Sequence, residues 1–123
     1  MIDRADPRYA TFPAEVGVPQ LRWLIMEVAE EHLPPQELIA SFKGLHEAIE
    51  RAGRPAYVSK AEARLIWDVL WALEFYSPHR EQESNPAEWN SAVEVLAEVQ
   101  LLHAGLGGRA DHPRVYGRFP RGA

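Results

Sequence analysis

The sequence contains no cysteine, so no disulfide can cross-link the chain and no thiolate can serve as a nucleophile or a metal ligand. At 123 residues the chain is long enough to bury a hydrophobic core without such cross-links. A chain without cysteine fits a reducing compartment, and its length is typical of one domain. We therefore expect a single cytoplasmic domain.

Long apolar runs are also absent. A membrane-spanning helix needs about 20 consecutive apolar residues, and the longest runs of this sequence are much shorter. The opening segment, MIDRADPRY, is charged and lacks the apolar stretch of a secretory signal peptide. We therefore expect no membrane association.

Basic side chains are scarce in most of the chain. Residues 9–104 hold seven Lys and Arg against fifteen Asp and Glu, a net charge of −8, whereas residues 105–123 hold four Arg and one Asp. Because phosphate contacts require Lys and Arg, the acidic body argues against direct nucleic-acid binding. It favours a basic protein partner, and an acidic surface that serves only solubility is the simpler alternative.

Recognisable catalytic and cofactor-binding motifs are absent as well. No serine lies in an elbow motif, no glycine-rich loop joins a strand to a helix, and the Glu-x-x-His of di-iron bundles does not occur. His46, Glu47 and Glu50 resemble the HExxH zinc helix without its second histidine, and we expect them on a solvated helix face. We predict no catalytic residue, no metal site and no cofactor.

Helical periodicity is what the sequence does contain. The segment from Ser59 to Tyr76 opens with a capping-box pattern, in which Ser59 accepts from the Glu62 amide and the Glu62 side chain reaches back to the Ser59 amide. It stops at Ser77-Pro78, because proline cannot continue a helix. Apolar residues cover most of its surface, so we predict a central helix that is packed on more than one side.

Three further helices are expected around it. The first runs from about Pro19 to His32 and the second from about Pro35 to Ala52, each with apolar residues at steps of three and four. The last begins at Pro86 behind an Asn85 cap and ends at Gly105. The expected buried stripes are Leu21, Leu24, Ile25, Val28 and His32 in the first helix, and Trp89, Ala92, Val93, Leu96 and Val99 in the last.

The predicted fold is all-α. Four amphipathic helices with short to medium links favour an antiparallel four-helix bundle over residues 19–105. Residues 1–18 show no period and contain two prolines, which indicates an irregular arm that Tyr9, Phe12 and Val16 pin to the core. Residues 106–123 are rich in Arg, Gly and Pro, so we expect a flexible tail there.

The end of the central helix and the loop after it carry the candidate binding residues. The segment from Glu74 to Glu88, EFYSPHREQESNPAE, places acidic and aromatic side chains beside a rigid helix, where binding residues tend to lie. Acidic groups next to aromatic rings suit Lys and Arg of a partner. A solvated loop, with Asp68 paired to Arg64, is the simpler interpretation. The candidate partner-binding residues are Asp68, Trp71, Glu74, Tyr76, Glu81, Glu83 and Glu88.

The order of these features resembles the small helical immunity proteins of bacteria, particularly the colicin D immunity type. The likeness covers about residues 20–102: a helix pair (LRWLIMEVAEEHLPPQELIASFKGLHEAI), a helix ending in an aromatic-Ser-Pro turn (DVLWALEFYSP), a charged loop, and a closing helix begun by NPAEW. The arm and the Arg-rich tail depart from that pattern. Family members bind a tRNA-cleaving toxin domain and block its active site. The resemblance implies a non-enzymatic inhibitor that binds a basic toxin domain through Asp68, Glu74, Tyr76, Glu81 and Glu83.

Two other functions remain open. A small-molecule-binding bundle, or an enzyme, would need a pocket with converging polar groups, such as His32, His46 or His103 near Trp67. A self-associating structural module would expose some of the four tryptophans as a dimer face. We expect a monomer or a weak homodimer.

Overall fold

The computed structural model describes residues 2–106, which form four α-helices. These are α1 (Val18–Ala29), α2 (Pro35–Ala52), α3 (Lys60–Glu74) and α4 (Ala92–His103). Short 3₁₀ turns lie at Pro7–Tyr9, Arg80–Gln82 and Pro86–Glu88. Within residues 2–106 there is no β-strand, and an isolated bridge joins Tyr76 to Asn90. The predicted all-α class is confirmed, and the predicted tail from residue 107 onward lies outside the described residues.

Every helix contributes to one core. α1 lies against α2 and α4, α3 lies against α4 and α2, and α2 also contacts α4. Side chains with less than 2% exposure come from all four helices, and Phe42 is the largest of them. The four-helix arrangement is therefore present, and the antiparallel order of the helices stays a prediction. Between residues 2 and 106, no helix combines the length and the apolar character that crossing a bilayer requires.

The N-terminal arm is held on the core by aromatic rings. Tyr9 and Phe12 are buried, and their ring centroids lie 5.4 and 5.2 Å from that of Trp23 in α1. The Tyr9 hydroxyl donates to Glu37 of α2, and burial together with this bond raises the pKa of the phenol. Val16 is exposed, so the prediction is confirmed for two of the three expected anchors and wrong for the third.

The C-terminal end of α1 comes earlier than predicted. The helix stops at Ala29, because Glu31 has a φ of 59° and the amide of His32 turns back to the Glu27 carbonyl at 2.8 Å. His32 is consequently exposed at the surface, and the prediction of a buried His32 is wrong. Leu33 is buried in its place at 2% exposure.

The N-terminus of α3 confirms half of the predicted capping box. The Ser59 hydroxyl accepts from the Glu62 amide at 3.1 Å. Instead of returning to the Ser59 amide, the Glu62 carboxylate accepts from the Val58 amide at 3.0 Å and from the Arg22 guanidinium of α1 at 2.6 Å. The second half of the prediction is wrong, because a cation on the neighbouring helix redirects the carboxylate.

α3 is covered on more than one side, by α4 and α2, but α2 and α4 each lie against the three other helices, so the predicted central position of α3 is wrong. Eight of its fifteen residues are buried, including the indole of Trp67. The helix ends at Glu74, two residues before the predicted Tyr76, and Phe75 forms its C-terminal cap. The bridge between Tyr76 and Asn90 draws the chain out of the helix at this point.

The last helix starts later than predicted. Asn85 and Pro86 open a separate 3₁₀ turn, and the Asn85 side chain makes no capping bond there. α4 begins at Ala92 behind a complete capping box, in which Ser91 accepts from the Glu94 amide and the Glu94 side chain accepts from the Ser91 amide. The predicted start at Pro86 is therefore wrong.

The buried face of α4 differs in part from the predicted stripe. Trp89 precedes the helix and Val93 is 75% exposed, so both are wrong as core residues. Val95 and Val99 are fully buried, and Leu102 is nearly so. Val99 belongs to the predicted stripe and is confirmed, and Leu96 of that stripe is partly buried against the core.

Candidate functional site

A groove runs between α3 and α4 and is open to solvent. Its volume is about 420 Å³. Aromatic rings and carboxylates line it together, with Leu101 also in its wall. We call this feature the acidic groove and define it by Asp68, Trp71, Phe75, Glu88, Glu94 and Glu98.

The same helical spacing builds both walls of the acidic groove. On α3 and its cap, the lining residues are Asp68, Trp71, Ala72 and Phe75, and on α4 they are Glu94, Ala97, Glu98 and Leu101. Both sets follow the pattern i, i+3, i+4, i+7, which places residues on one face of a helix. Each wall thus has an alanine among its larger groups, and these short side chains leave the space between the helices.

Asn90 fixes the C-terminal end of α3 beside the acidic groove. Its side-chain amide donates to the Ala72 carbonyl at 3.0 Å, and its backbone amide donates to the Phe75 carbonyl at 2.6 Å. Its own carbonyl accepts from the Ser77 amide at 3.0 Å. The last carbonyls of a helix lack partners within the helix. Asn90 supplies such partners and ties the end of α3 to the segment before α4.

Replacing Asn90 by alanine should loosen this end of the acidic groove. We expect the free energy of unfolding to fall by about 1 kcal/mol, because the Ala72 carbonyl loses its side-chain donor. Hydrogen exchange at the Ser77 amide should become faster. Urea denaturation and exchange rates check both effects. Asn85→Ala is the matched control, and equal effects of the two substitutions would contradict the role of Asn90.

Among the described residues, 2–106, none of those that line the acidic groove is a Lys, Arg or His. Glu94 is partly compensated, since its carboxylate accepts from the Ser91 amide and lies 2.9 Å from the Arg80 guanidinium; both interactions lower its pKa. Asp68 is 8% exposed. Glu88 is exposed and Glu98 is half-buried. Glu88 and Glu98 therefore present most of the accessible negative charge.

Two aromatic rings stand beside these carboxylates. Trp71 and Phe75 pack edge to face, with centroids 5.2 Å apart and planes at 65°. Trp71 is half-buried and Phe75 is 37% exposed, so both keep ring surface within reach of a ligand. Ring faces attract cations and carboxylates accept hydrogen bonds from guanidinium and ammonium groups. The acidic groove is chemically suited to bind the side chain of arginine or lysine.

The acidic groove brings together three of the seven predicted binding residues: Asp68, Trp71 and Glu88. A partner-binding Asp68 was predicted to be accessible, and that expectation is wrong, because α4 packs against α3 and leaves Asp68 buried beside the groove. Phe75, which belongs to the predicted binding segment from Glu74 to Glu88, also lines it. The predicted residues outside the lining are Glu74, Tyr76, Glu81 and Glu83.

These four residues have different surroundings. The Glu83 carboxylate accepts from the Ser77 hydroxyl at 2.9 Å and so orders the loop after α3. Tyr76 forms the bridge to Asn90 and is half-buried. Glu74 is also half-buried, whereas Glu81 is exposed on the Arg80–Gln82 turn. The structure does not gather these four residues into the acidic groove.

Glu94, Glu98 and Asn90 were not predicted as site residues. A signal for two of them was present, because Ser91 and Glu94 have the spacing of a capping box. A helix phased from that box places Glu94 and Glu98 four residues apart on one face. Asn90 gave no such signal, since its partners, Ala72 and Phe75, lie far away in the sequence.

His46 lies in the core, so the predicted solvated position is wrong. Its side chain is 4% exposed, and its ring packs edge to face on Trp67 at 5.0 Å. Its Nδ1 is 3.3 Å from the Glu50 carboxylate and its Nε2 is 3.3 Å from the Tyr57 hydroxyl. Burial raises the pKa of Tyr57 to about 12. This group joins α2 to α3 and to the loop before it, a structural role that the sequence did not reveal.

Three possible metal ligands lie at the end of α1. Atoms of Glu27, Glu30 and His32 are all within 4.8 Å of one another. The His32 Nδ1 is 2.5 Å from the Glu27 carboxylate, and this bond raises the pKa of the imidazole. His32 and Glu30 are exposed. A surface ion pair accounts for this arrangement.

A more apolar groove of about 490 Å³ lies between the N-terminal arm and α2. Phe12, Val16 and Leu45 line it, and the exposed Gly44 has open space where a side chain would stand. The Arg4 guanidinium lies 5.1 Å from the Phe12 ring centroid at the same place. This second groove has the apolar lining that small-molecule sites favour.

No protein-family model, curated protein or solved structure matches this chain. The likeness to immunity proteins therefore stays a prediction from the sequence of residues 20–102. The geometry and chemistry of the acidic groove are the basis on which a function can be assigned.

Proposed function

We propose that this chain is a non-enzymatic protein that binds a basic segment of another protein in the acidic groove. One observation carries the proposal: four carboxylates and two aromatic rings line a groove of about 420 Å³, and the described part of the chain adds no basic side chain to that lining. Trp71 and Phe75 supply ring surface for a guanidinium or ammonium group. Glu88 and Glu98 supply the charge that such a group pairs with.

The two kinds of side chain contribute to binding in different ways. Exposed charges at the rim mainly speed association and select a partner of opposite sign. Most of the affinity comes from a few aromatic or arginine anchors that become desolvated. Trp71 is the anchor on this side, because it is the larger ring and lies among the carboxylates of the acidic groove.

The specific form of the proposal is an inhibitor similar to bacterial immunity proteins. A ribonuclease cleft is basic because its substrate is a polyanion. An acidic surface on a rigid helical frame can cover such a cleft and exclude the nucleic acid. In this form the partner is a basic toxin domain, and the inhibitor acts in the cytoplasm of the cell that makes both.

A second candidate function is the binding of an apolar small molecule between the arm and α2. The observation in its favour is the groove of about 490 Å³ beside Phe12, Gly44 and Leu45. A ligand there would shift the NMR signals of those residues and leave the Trp71 indole unchanged. Screening a library of apolar fragments by NMR separates this candidate from the first.

The first proposal is tested with a fluorescein-labelled octa-arginine peptide. We expect saturable binding that weakens as salt is added, because exposed charges are screened. In heteronuclear NMR, the indole signal of Trp71 should move, and those of the buried Trp23 and Trp67 should stay in place. An octa-glutamate peptide should not bind. Uniform small shifts of all indole signals would contradict a specific groove.

Substitutions in the acidic groove separate specific binding from attraction to an acidic protein. Trp71→Ala and Glu98→Lys should each weaken peptide binding by about tenfold or more, as expected for an anchor and a charge within one site. Glu47→Lys makes the same charge change on the exposed side of α2 and should have a much smaller effect. Equal losses for Glu98→Lys and Glu47→Lys would refute the site.

A further inference from the structure

We propose that residues 107–123 of this chain fold back and occupy the acidic groove, so that a partner must displace them. The inference rests on the proposed function of the groove and adds its regulation. Three observations support it: the direction in which the chain leaves α4, the charge of the segment and its length.

The chain leaves α4 next to the acidic groove. Gly105 has a φ of 78°, its amide donates to the Leu102 carbonyl at 3.0 Å, and the Leu106 amide donates to the Leu101 carbonyl at 2.8 Å. This pair of bonds is a Schellman motif, which reverses the chain at the end of a helix. Leu101 itself lines the groove. The described chain therefore ends within hydrogen-bonding distance of a residue of the groove wall.

The segment that follows has the complementary charge. Residues 107–123, GGRADHPRVYGRFPRGA, contain four Arg and one Asp, whereas residues 2–106 line the groove with four carboxylates and no basic side chain. Arginine both pairs with carboxylates and stacks on aromatic rings. The sequence itself thus carries the kind of side chain that the acidic groove is suited to bind.

The length of the segment is sufficient. From Leu101 to Glu94 the groove wall covers seven residues of helix, roughly 10 Å at 1.5 Å per residue. The seventeen residues after Leu106 span more than about 50 Å when extended. A chain that reverses at Gly105 can therefore run along α4 toward Glu94 and still place more than one arginine in the groove.

Tethering makes even a weak contact effective. A segment joined to its site by a short flexible link acts at a local concentration in the millimolar range. The tail would then exclude weakly basic proteins and yield to a partner that makes more contacts. The tail would thereby make the acidic groove selective for its partner over other basic proteins.

Spin labelling tests the occupant directly, and the absence of cysteine from the chain makes a single label specific. A nitroxide is attached to Gly117→Cys in the full-length protein, and the NMR signals of groove residues are compared with those of α2. We expect the Trp71 indole and the Glu98 and Leu101 amides to lose about half of their intensity or more, since tethering keeps the label close to them. The Lys43 and Glu47 amides should be nearly unaffected.

Two controls decide how the effect arises. Changing all four tail arginines to glutamine should restore the groove signals, because the charge attraction is removed. Mixing spin-labelled protein with unlabelled, NMR-visible protein detects a second copy as the occupant. Equally strong broadening in that mixture, or broadening that persists after the arginines are removed, would overturn the inference.

The octa-arginine peptide distinguishes this inference from the proposed function. If both are right, the glutamine variant should bind the peptide about tenfold more tightly than the unmodified chain, because a tethered competitor is gone. Unchanged peptide affinity, with the peptide still in the groove, would refute the occupation of the groove by the tail and leave the proposed function standing. Strong broadening by the tail without peptide binding to either protein would refute the proposed function alone.

Discussion

A Phe42→Ala variant is expected to unfold with a free energy lower by about 3–5 kcal/mol. Phe42 is the largest of the side chains that are less than 2% exposed, and it lies in the middle of α2. Truncation removes the apolar transfer energy of the ring and leaves a cavity that a close-packed core fills only in part. A loss of this size is a large part of the stability of a small domain.

Urea denaturation followed by circular dichroism measures this change, with Phe75→Ala as the matched control. Phe75 is 37% exposed at the end of α3, so the same truncation there should cost about 1 kcal/mol or less. Phe75→Ala should instead weaken binding in the acidic groove. Similar losses of stability in both variants would mean that Phe42 is not packed in the core as described.

A Glu62→Gln variant is expected to lose about 2–3 kcal/mol at neutral pH, the second large effect. The Glu62 carboxylate is 9% exposed and accepts from Arg22 at 2.6 and 3.0 Å and from the Val58 amide at 3.0 Å. An uncharged amide keeps the volume but loses the ion pair between α1 and α3. It also presents N–H groups to donors that need an acceptor.

The effect of Glu62 should depend on pH in a defined direction. Burial alone would raise the pKa of this carboxyl, but the bonds from Arg22 and the Val58 amide outweigh it and hold the pKa below the ordinary value of 4.5. A carboxyl with a lowered folded-state pKa stabilises the fold above its unfolded-state pKa, and this contribution is lost as the pH falls through the folded-state value. The difference between Glu62→Gln and the unmodified chain should therefore be largest near neutrality and shrink in acid.

Denaturation at about pH 7 and at about pH 3 checks this dependence. Glu47→Gln on the exposed side of α2 should change the stability by about 0.5 kcal/mol or less at either pH. A constant difference between Glu62→Gln and the unmodified chain would show that the ion pair is not the source of the stabilisation.

α3 connects the core with the acidic groove. Its Ile66 and Val69 are fully buried, while Asp68 and Trp71 of the same helix line the groove. The core therefore fixes the rotation of α3 and with it the direction of the Trp71 ring. Substitutions in the core should nonetheless lower mainly the stability and those in the groove mainly the binding, because binding residues such as Glu98 contribute little to packing.

The sequence by itself determined the helical class and most of the helix ends that local chemistry controls. Apolar residues at steps of three and four predicted α2 with its observed bounds, and Ser59 and Gly105 were correctly placed at the ends of α3 and α4. These features depend on side chains a few residues apart, whose interactions are nearly the same in any fold.

Competing local signals were harder to resolve. Asn85-Pro86 and Ser91-x-x-Glu94 both have the form of a helix start, and only the second is the start of α4. The bonds of Asn90 to the end of α3 favour the second, since they hold Asn90 outside the helix that follows it. Those bonds join residues that are distant in the sequence, so no local sequence pattern predicts them.

The tertiary structure alone decided the position of polar groups relative to the core and the identity of the site. The sequence placed His46 and Asp68 in solvent, and packing of α3 against its neighbours buries both. The acidic groove takes one wall from α3 and the other from α4, so it exists only when the two helices lie side by side. The helical period predicts which residues of one helix share a face, but long-range packing determines which other helix lies against that face.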